Sequence, residues 1–197
     1  LKGLTDQHIT LTIAKNLLQA FKEPFNIDGR EIILSVSIGV AIYPDNGCSA
    51  SDLLRNADIA MYQAKESGRN TYSFFTADMN RIMQRRLAIE KQMQEALNRN
   101  EFELHYQAQL DVKNKRIIGA EALLRWHSPV LGKVTPGEFI PIAEQGGKIT
   151  AITQWVIKRV CMDMADMKQW AHNSFRVSVN LSGHDLRNTH LFDYIYN

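Results

Sequence analysis

Glu121 and Arg125 interrupt an otherwise apolar run, Ile117-Ile118-Gly119-Ala120-Glu121-Ala122-Leu123-Leu124-Arg125-Trp126. In an extended strand these two side chains point to one face, about 13 Å apart at ~3.3 Å per residue. Charges inside a strand are costly unless paired, hydrated or liganded. A carboxylate there can hold a hard cation, and the guanidinium can fork onto a phosphate. The plainer alternative is an edge strand with its polar face in water, and the pattern does not choose between them. Asn180 stands at the end of a further strand-like stretch, where its amide oxygen is a candidate neutral metal ligand; strand-end asparagines are more often turn residues. Lys65 and Arg69, four apart at the end of a helical pattern, can grip a polyphosphate or simply complement the helix dipole in water. On pattern alone the second reading is favoured.

Other chemistries are excluded. There is no Walker loop, no His/Glu zinc motif and no nucleophile elbow. His105, His127 and His184 are scattered along the sequence. Lys plus Arg is 23 against 21 Asp plus Glu, a net charge of +2 over 197 residues. That rules out a strongly basic nucleic-acid surface as the main theme and leaves room for a local basic patch. With 45% hydrophobic and 22% charged residues the chain is an ordinary globular sequence. Cys48 and Cys161 form neither a metal spacing nor a disulfide framework, which fits a cytoplasmic location. No apolar run approaches the ~18 residues of a membrane span. The start at Leu1 and the end at Asn197, in mid-pattern, read as the ends of an excised fragment.

The elements that must position these residues follow from periodicity. Ile9, Ile13, Ala14, Leu17, Leu18 and Phe21 predict a helix from Thr5 to about Lys22, stopped by Pro24. Asp28-Gly29 predicts a tight hairpin between Phe25-Asn26-Ile27 and a strand from Glu31 to Ile42. One face of that strand is small throughout: Ser35, Ser37, Gly39, Ala41. Close helix packing is the plainer reading, close approach of a ligand the other. Ser51 is the expected N-cap of a helix that Gly68 ends, followed by a strand from Thr71 to Phe75. A polar helix from about Asp78 to Asn98, with a thin apolar stripe and i, i+4 charge pairs, suits a connector between domains. Strands follow at 102–111 and 117–126, a capping box at Thr135 to Glu138, and a helix from Lys148 to about Trp170. A strand at 176–181 comes last, with Ser182 as a helix cap. This order suggests an α/β layer or the start of a barrel.

Two sets of motifs resemble known families. Ser37-Ile38-Gly39-Val40-Ala41, Ala57 through Lys65 and Gly68-Arg69-Asn70 resemble the C-terminal half of a GGDEF domain, the diguanylate cyclase family. In that family the residues matching Lys65 and Arg69 contact the triphosphate of GTP. The GGDEF signature itself is absent from this chain. Tyr106-Gln107-Ala108-Gln109, Glu121 through Trp126, Gly132 through Pro136, Phe139 through Glu144 and Val179-Asn180-Leu181-Ser182 resemble the beginning of an EAL domain, the cyclic di-GMP phosphodiesterase family. Ala108 replaces that family's usual proline. The resemblance implies that Glu121 and Asn180 bind metal, and that Gln107, Leu123 and Arg125 contact the dinucleotide.

The expected fold is α/β: half a cyclase-like domain over residues 1–76, a connector helix over 77–100, and over 101–197 the opening strands of an EAL-type (β/α)₈-like barrel, which needs ~250 residues. The implied parent activity is hydrolysis of cyclic di-GMP to linear pGpG with Mg²⁺ or Mn²⁺. Glu121 is the catalytic candidate, and this span lacks complete active sites. The alternatives are a degenerate regulatory module binding GTP or cyclic di-GMP, and a parent acting mainly as a cyclase.

Overall fold

In a computed structural model of the chain, residues 7–167, 175–187 and 189–196 are described. The chain divides into two units, Leu1–Gln84 and Arg85–Asn197.

In the first unit, helix α1 spans Gln7–Ala20; the predicted start at Thr5 lies outside the described residues. Asp28 and Gly29, with φ of 51° and 78°, close a two-residue hairpin between β1 (Phe25–Ile27) and β2 (Arg30–Ile32). Two successive left-handed residues match the twist of the flanking strands, and Asp-Gly tolerates them. The strand expected from Glu31 to Ile42 is two strands instead. After β2 the chain leaves the ladder at residues 33–36, and β3 (Ser37–Val40) pairs in parallel with β4 (Thr71–Phe74). Apolar alternation runs unbroken through the gap while the pairing partner changes, so a single strand is the natural reading of the sequence.

Helix α2 (Ala50–Glu66) is the crossover between β3 and β4, and it lies directly on Gly39. A Cβ there would sit 1.9 Å from the Ala57 carbonyl oxygen and 2.3 Å from the Met61 nitrogen. The small-residue face is therefore a helix-packing surface. The cap of α2 is Ser49, not Ser51: Asp52 N donates to Ser49 Oγ at 3.1 Å. Ser49 keeps the extended backbone a cap requires, and Ser51 already lies in the first turn, bonded to Ser49 Oγ. Gly68, at φ 107°, ends the helix as expected.

Helix α3 (Ala77–Ala96) contains the division between the units. Its last turns bury Ile89, Met93 and Ala96 in the core of the second unit. There β5 (Phe102–Asp111) and β6 (Arg116–Ser128) form an antiparallel pair. The other edge of β6 takes β7 (Gly132–Val134) antiparallel and β8 (Arg176–Val179) parallel. Helices α4 (Pro136–Gln145) and α5 (Ile149–Met167) cover one face; the expected extension of α5 to Trp170 lies outside the described residues. A 3₁₀ turn (Asp185–Arg187) and α6 (Thr189–Tyr196) follow. Ser182 caps that 3₁₀ turn rather than an α-helix, its Oγ accepting from Asp185 N at 3.2 Å.

The core lies between the sheet and these helices. Trp126 is fully buried, stacked on Phe102 at 5.5 Å and edge-on to Phe139 at 5.6 Å. Its indole N–H donates to the buried Glu101 carboxylate at 2.9 Å. Phe102, Ala122, Trp126 and Val134 belong to this core, with Leu104, Tyr106 and Leu124 packed against it. Period-two alternation then sends the odd-numbered residues of β5 from Glu103 to Gln109, and of β6 from Glu121 to His127, to the opposite face; the register shifts between Gln109 and Leu110. Among the described residues no helix is long and apolar enough to cross a membrane.

The capping box at the start of α4 is present. The Glu138 carboxylate accepts from Thr135 N at 2.9 Å and Thr135 Oγ1 at 2.8 Å, and Arg85 Nε donates to it at 3.1 Å. The Thr135 backbone hydrogen bond holds the Glu138 carboxyl below its ordinary range; the threonine hydroxyl and Arg85 add to the effect, and partial burial opposes it. A depressed folded-state pKa gives stability that is present above the unfolded carboxyl pKa, ~4.3, and is lost as pH falls through the lowered folded value. Glu138→Gln should therefore cost about 0.5–1 kcal/mol at pH 7. The difference should be smaller at pH 3. Urea denaturation at the two pH values checks this; an equal deficit at both rejects it.

Candidate functional site

The odd-numbered face of β6 carries Glu121, Leu123 and Arg125. In the β5–β6 register Glu121 stands opposite Gln107, Leu123 opposite His105 and Arg125 opposite Glu103. On its other side Glu121 stands opposite Ser178 of β8. β6 has partners on both edges, so the edge-strand reading of its charges does not hold. Glu121 is half-buried and Gln107 exposed. Arg125 is also half-buried, and its Nη1 donates to the Leu124 carbonyl at 2.9 Å.

Asn180 follows β8 by one residue. Its Nδ2 donates to Glu121 Oε1 at 2.7 Å, across 59 residues of sequence. Parallel pairing of β8 with β6 makes this meeting, because it lays Ser178 and Val179 beside Glu121 and Ala122. The structure thus gathers Glu121, Asn180, Gln107, Leu123 and Arg125 on one face of the second unit. Lys65 and Arg69 belong to the first unit. Both are exposed at the end of α2, and Lys65 lies in the last turn, where it complements the helix dipole.

The donor set of Glu121 and Asn180 is one carboxylate and one amide oxygen, both hard ligands. They suit an octahedral divalent cation that keeps several waters and takes its other oxygens from a phosphate. The amide needs only to turn its Oδ1 toward the cation, an exchange that leaves the side chain in place. Among the described residues no group of three or more His, Cys, Asp or Glu could hold a metal ion.

Two features escape a reading of the sequence. Asp185 is fully buried; its Oδ2 accepts from Thr153 Oγ1 at 2.8 Å and from Ser182 N at 3.0 Å. It fastens the turn that follows Asn180 to α5. The pattern Ser182-x-x-Asp185, a capping box, was the available signal. The second is the position of the histidines. His105 and His127, far apart in sequence, meet one carboxylate: Glu103 Oε1 lies 2.8 Å from His105 Nε2 and 3.4 Å from His127 Nε2.

Comparison with known proteins gives two family matches: the EAL domain over residues 90–197, and the diguanylate cyclase GGDEF domain over residues 1–71. The bifunctional diguanylate cyclase/cyclic di-GMP phosphodiesterase MucR of Pseudomonas aeruginosa is 39% identical over 186 residues, 94% of this chain and 27% of that protein. The cyclic di-GMP phosphodiesterase NbdA of the same organism is 34% identical, over 99% of this chain and 25% of its own length. The cyclic di-GMP phosphodiesterase PdeR of Escherichia coli is 34% identical, over 95% of this chain and 28% of its own length. The chain thus spans about a quarter of the length of these relatives. Among solved structures, the PaMucR phosphodiesterase in complex with c-di-GMP superposes with a TM-score of 0.53 at 36% identity, covering 56% of this chain and 44% of that one.

Proposed function

From the premise that the chain belongs to the EAL domain family, with part of a GGDEF domain ahead of it, we propose that the protein containing it hydrolyses cyclic di-GMP to the linear dinucleotide. The observation that carries this reading is the 2.7 Å contact of Asn180 with Glu121 on the face that also presents Gln107, Leu123 and Arg125. MucR, NbdA and PdeR, whose names specify this activity, align with nearly the whole chain.

Each residue has a part that its chemistry allows. Glu121 and Asn180 would hold Mg²⁺ or Mn²⁺, and Gln107 and Arg125 would orient the dinucleotide through donors aimed at its phosphates and bases. Leu123, between them, offers an apolar surface to a ribose or base. When bound, the cation supplies Lewis-acid stabilisation of charge on the phosphoryl oxygens. Lys65 and Arg69 would contact the triphosphate of GTP in the preceding domain. We assign residues 1–76 to that domain, 77–100 to the connector and 101–197 to the EAL domain.

A regulatory module that binds cyclic di-GMP without cleaving it is the second reading. Among the described residues the Glu121–Asn180 pair supplies one carboxylate, which suits orienting a bound dinucleotide through a single cation. One assay separates the two. The protein is incubated with cyclic di-GMP and Mg²⁺ or Mn²⁺, and the products are resolved by chromatography. Linear pGpG supports hydrolysis. Saturable binding with no product supports the regulatory module, and neither binding nor product rejects both.

A further inference from the structure

Glu103, His105 and His127 lie on the same sheet face as Glu121 and are not among the residues assigned to metal or dinucleotide. Oε1 of Glu103 holds both imidazoles. Oε2 takes no hydrogen bond among the described residues, and the side chain is 51% exposed. Across the strand pair Glu103 stands directly opposite Arg125, where Cβ atoms lie ~4.5–5.5 Å apart and opposite charges ordinarily pair. They are not paired here. His105 is hydrogen-bonded to the carboxylate, with the His127 ring 3.4 Å away, and Arg125 donates to the Leu124 carbonyl. A hydrogen-bond acceptor and a fork of donors therefore stand side by side, neither bonded to the other.

That juxtaposition matches one nucleobase. Guanine presents N1–H and an exocyclic amino group as donors on one edge, with O6 and N7 as acceptors on the next. Arginine pairs with O6 and N7, and a carboxylate pairs with the two donors. Adenine reverses the pattern: its N1 is a lone pair, its position 2 has no amino group, and its 6-amino group would face the guanidinium. We propose that Glu103 is the guanine-selecting residue of the dinucleotide site, its Oε2 accepting from N1–H and the 2-amino group of one base. His105 and His127 hold the carboxylate in place, and Arg125 meets the other edge of the same base. The inference rests on the reading of this face as a cyclic di-GMP site. The spacing is suitable, because Arg125 lies about 13 Å along the strand from Glu121, on the order of the reach from a phosphate through its ribose to the far edge of a base. Leu123 lies between them, on the same face.

The test is calorimetric binding of cyclic di-GMP and cyclic di-AMP to the intact protein, with Ca²⁺, a larger hard cation of looser geometry, in place of Mg²⁺ or Mn²⁺ so that the cation site is filled while turnover is suppressed. The unmodified protein should prefer cyclic di-GMP. Glu103→Ala should weaken cyclic di-GMP about tenfold, leave cyclic di-AMP no weaker, and so narrow the preference. Glu103→Gln, which keeps an acceptor but loses the charge, should fall between. Because Glu103 is exposed, both variants should melt as the unmodified protein does. If Glu103→Ala binds cyclic di-GMP within twofold of the unmodified protein and keeps the same preference, Glu103 does not read guanine, and the proposed function still stands. If the unmodified protein binds neither dinucleotide, the proposed function fails, and the role of Glu103 fails with it.

Discussion

Glu121→Ala should reduce hydrolysis of cyclic di-GMP by the intact protein at least roughly 10²–10³-fold, with the fold unchanged. The rate falls because Glu121 is the carboxylate of the candidate ligand pair. Without it Asn180 offers an uncharged oxygen that cannot by itself hold a divalent cation against water. The fold survives because Glu121 is half-buried on the polar face, away from the Trp126 core. The substitution leaves the Asn180 amide without its partner, but that amide is exposed and water replaces the lost bond. Glu121→Gln separates charge from position. It keeps an oxygen for Asn180 and nearly the same volume, yet it should lose hydrolysis to a comparable extent. Product formation measured by chromatography, beside thermal melts of each variant, decides the matter. A Glu121→Ala protein that makes linear dinucleotide at the unmodified rate removes Glu121 from the metal site.

Gly39→Ala should destabilise the first unit by about 3 kcal/mol or more, at the upper end of overpacking costs. The added methyl would meet the Ala57 carbonyl oxygen at 1.9 Å and the Met61 nitrogen at 2.3 Å. Both are backbone atoms of α2, so no side-chain rotation relieves the clash, and the helix must lift from β3 and β4. Gly137→Ala is the control, since a Cβ there meets nothing within 4 Å. All three tryptophans lie in the second unit. Hydrogen exchange in α2 is therefore the direct readout, and it should accelerate in Gly39→Ala and not in Gly137→Ala. Unaltered exchange across α2 would refute the close packing of this helix on Gly39.

Much of the second unit was legible from period alone. Phe102 through Asp111 alternates without a break in sequence, and burial follows the alternation as far as Tyr106, because helices cover one face there while the other stays open; beyond it Ala108 and Leu110 are exposed and the register shifts between Gln109 and Leu110. The Asp28-Gly29 turn was equally legible, since few dipeptides tolerate two left-handed residues. The break at residues 33–36 was not, because a strand's pattern says which face is apolar and not which neighbour it pairs with. The cap at Ser49 was hidden by Ser51, which satisfies the same local rule. Asn180 was placed correctly at a strand end, but its partner was not readable from local pattern. The register of β8 against β6 is set between segments more than fifty residues apart. The same holds for His105 and His127, which meet only because β5 and β6 align Glu103 beside Arg125.

The parallel pairing of β6 with β8 also governs how the protein is made. Glu121 leaves the ribosome 59 residues ahead of Asn180, a lead of about 3–12 s at ordinary synthesis speeds. For that interval β5 and β6 can pair as a local hairpin, but the far edge of Gly119–Ala122, the one β8 will later occupy, has no neighbour from its own chain. A bare strand edge is a template for any other extended segment. The nascent polypeptide is thus most open to faulty intermolecular pairing along the stretch that will hold Glu121, and β8 ends that vulnerability in the same event that brings Asn180 to the carboxylate.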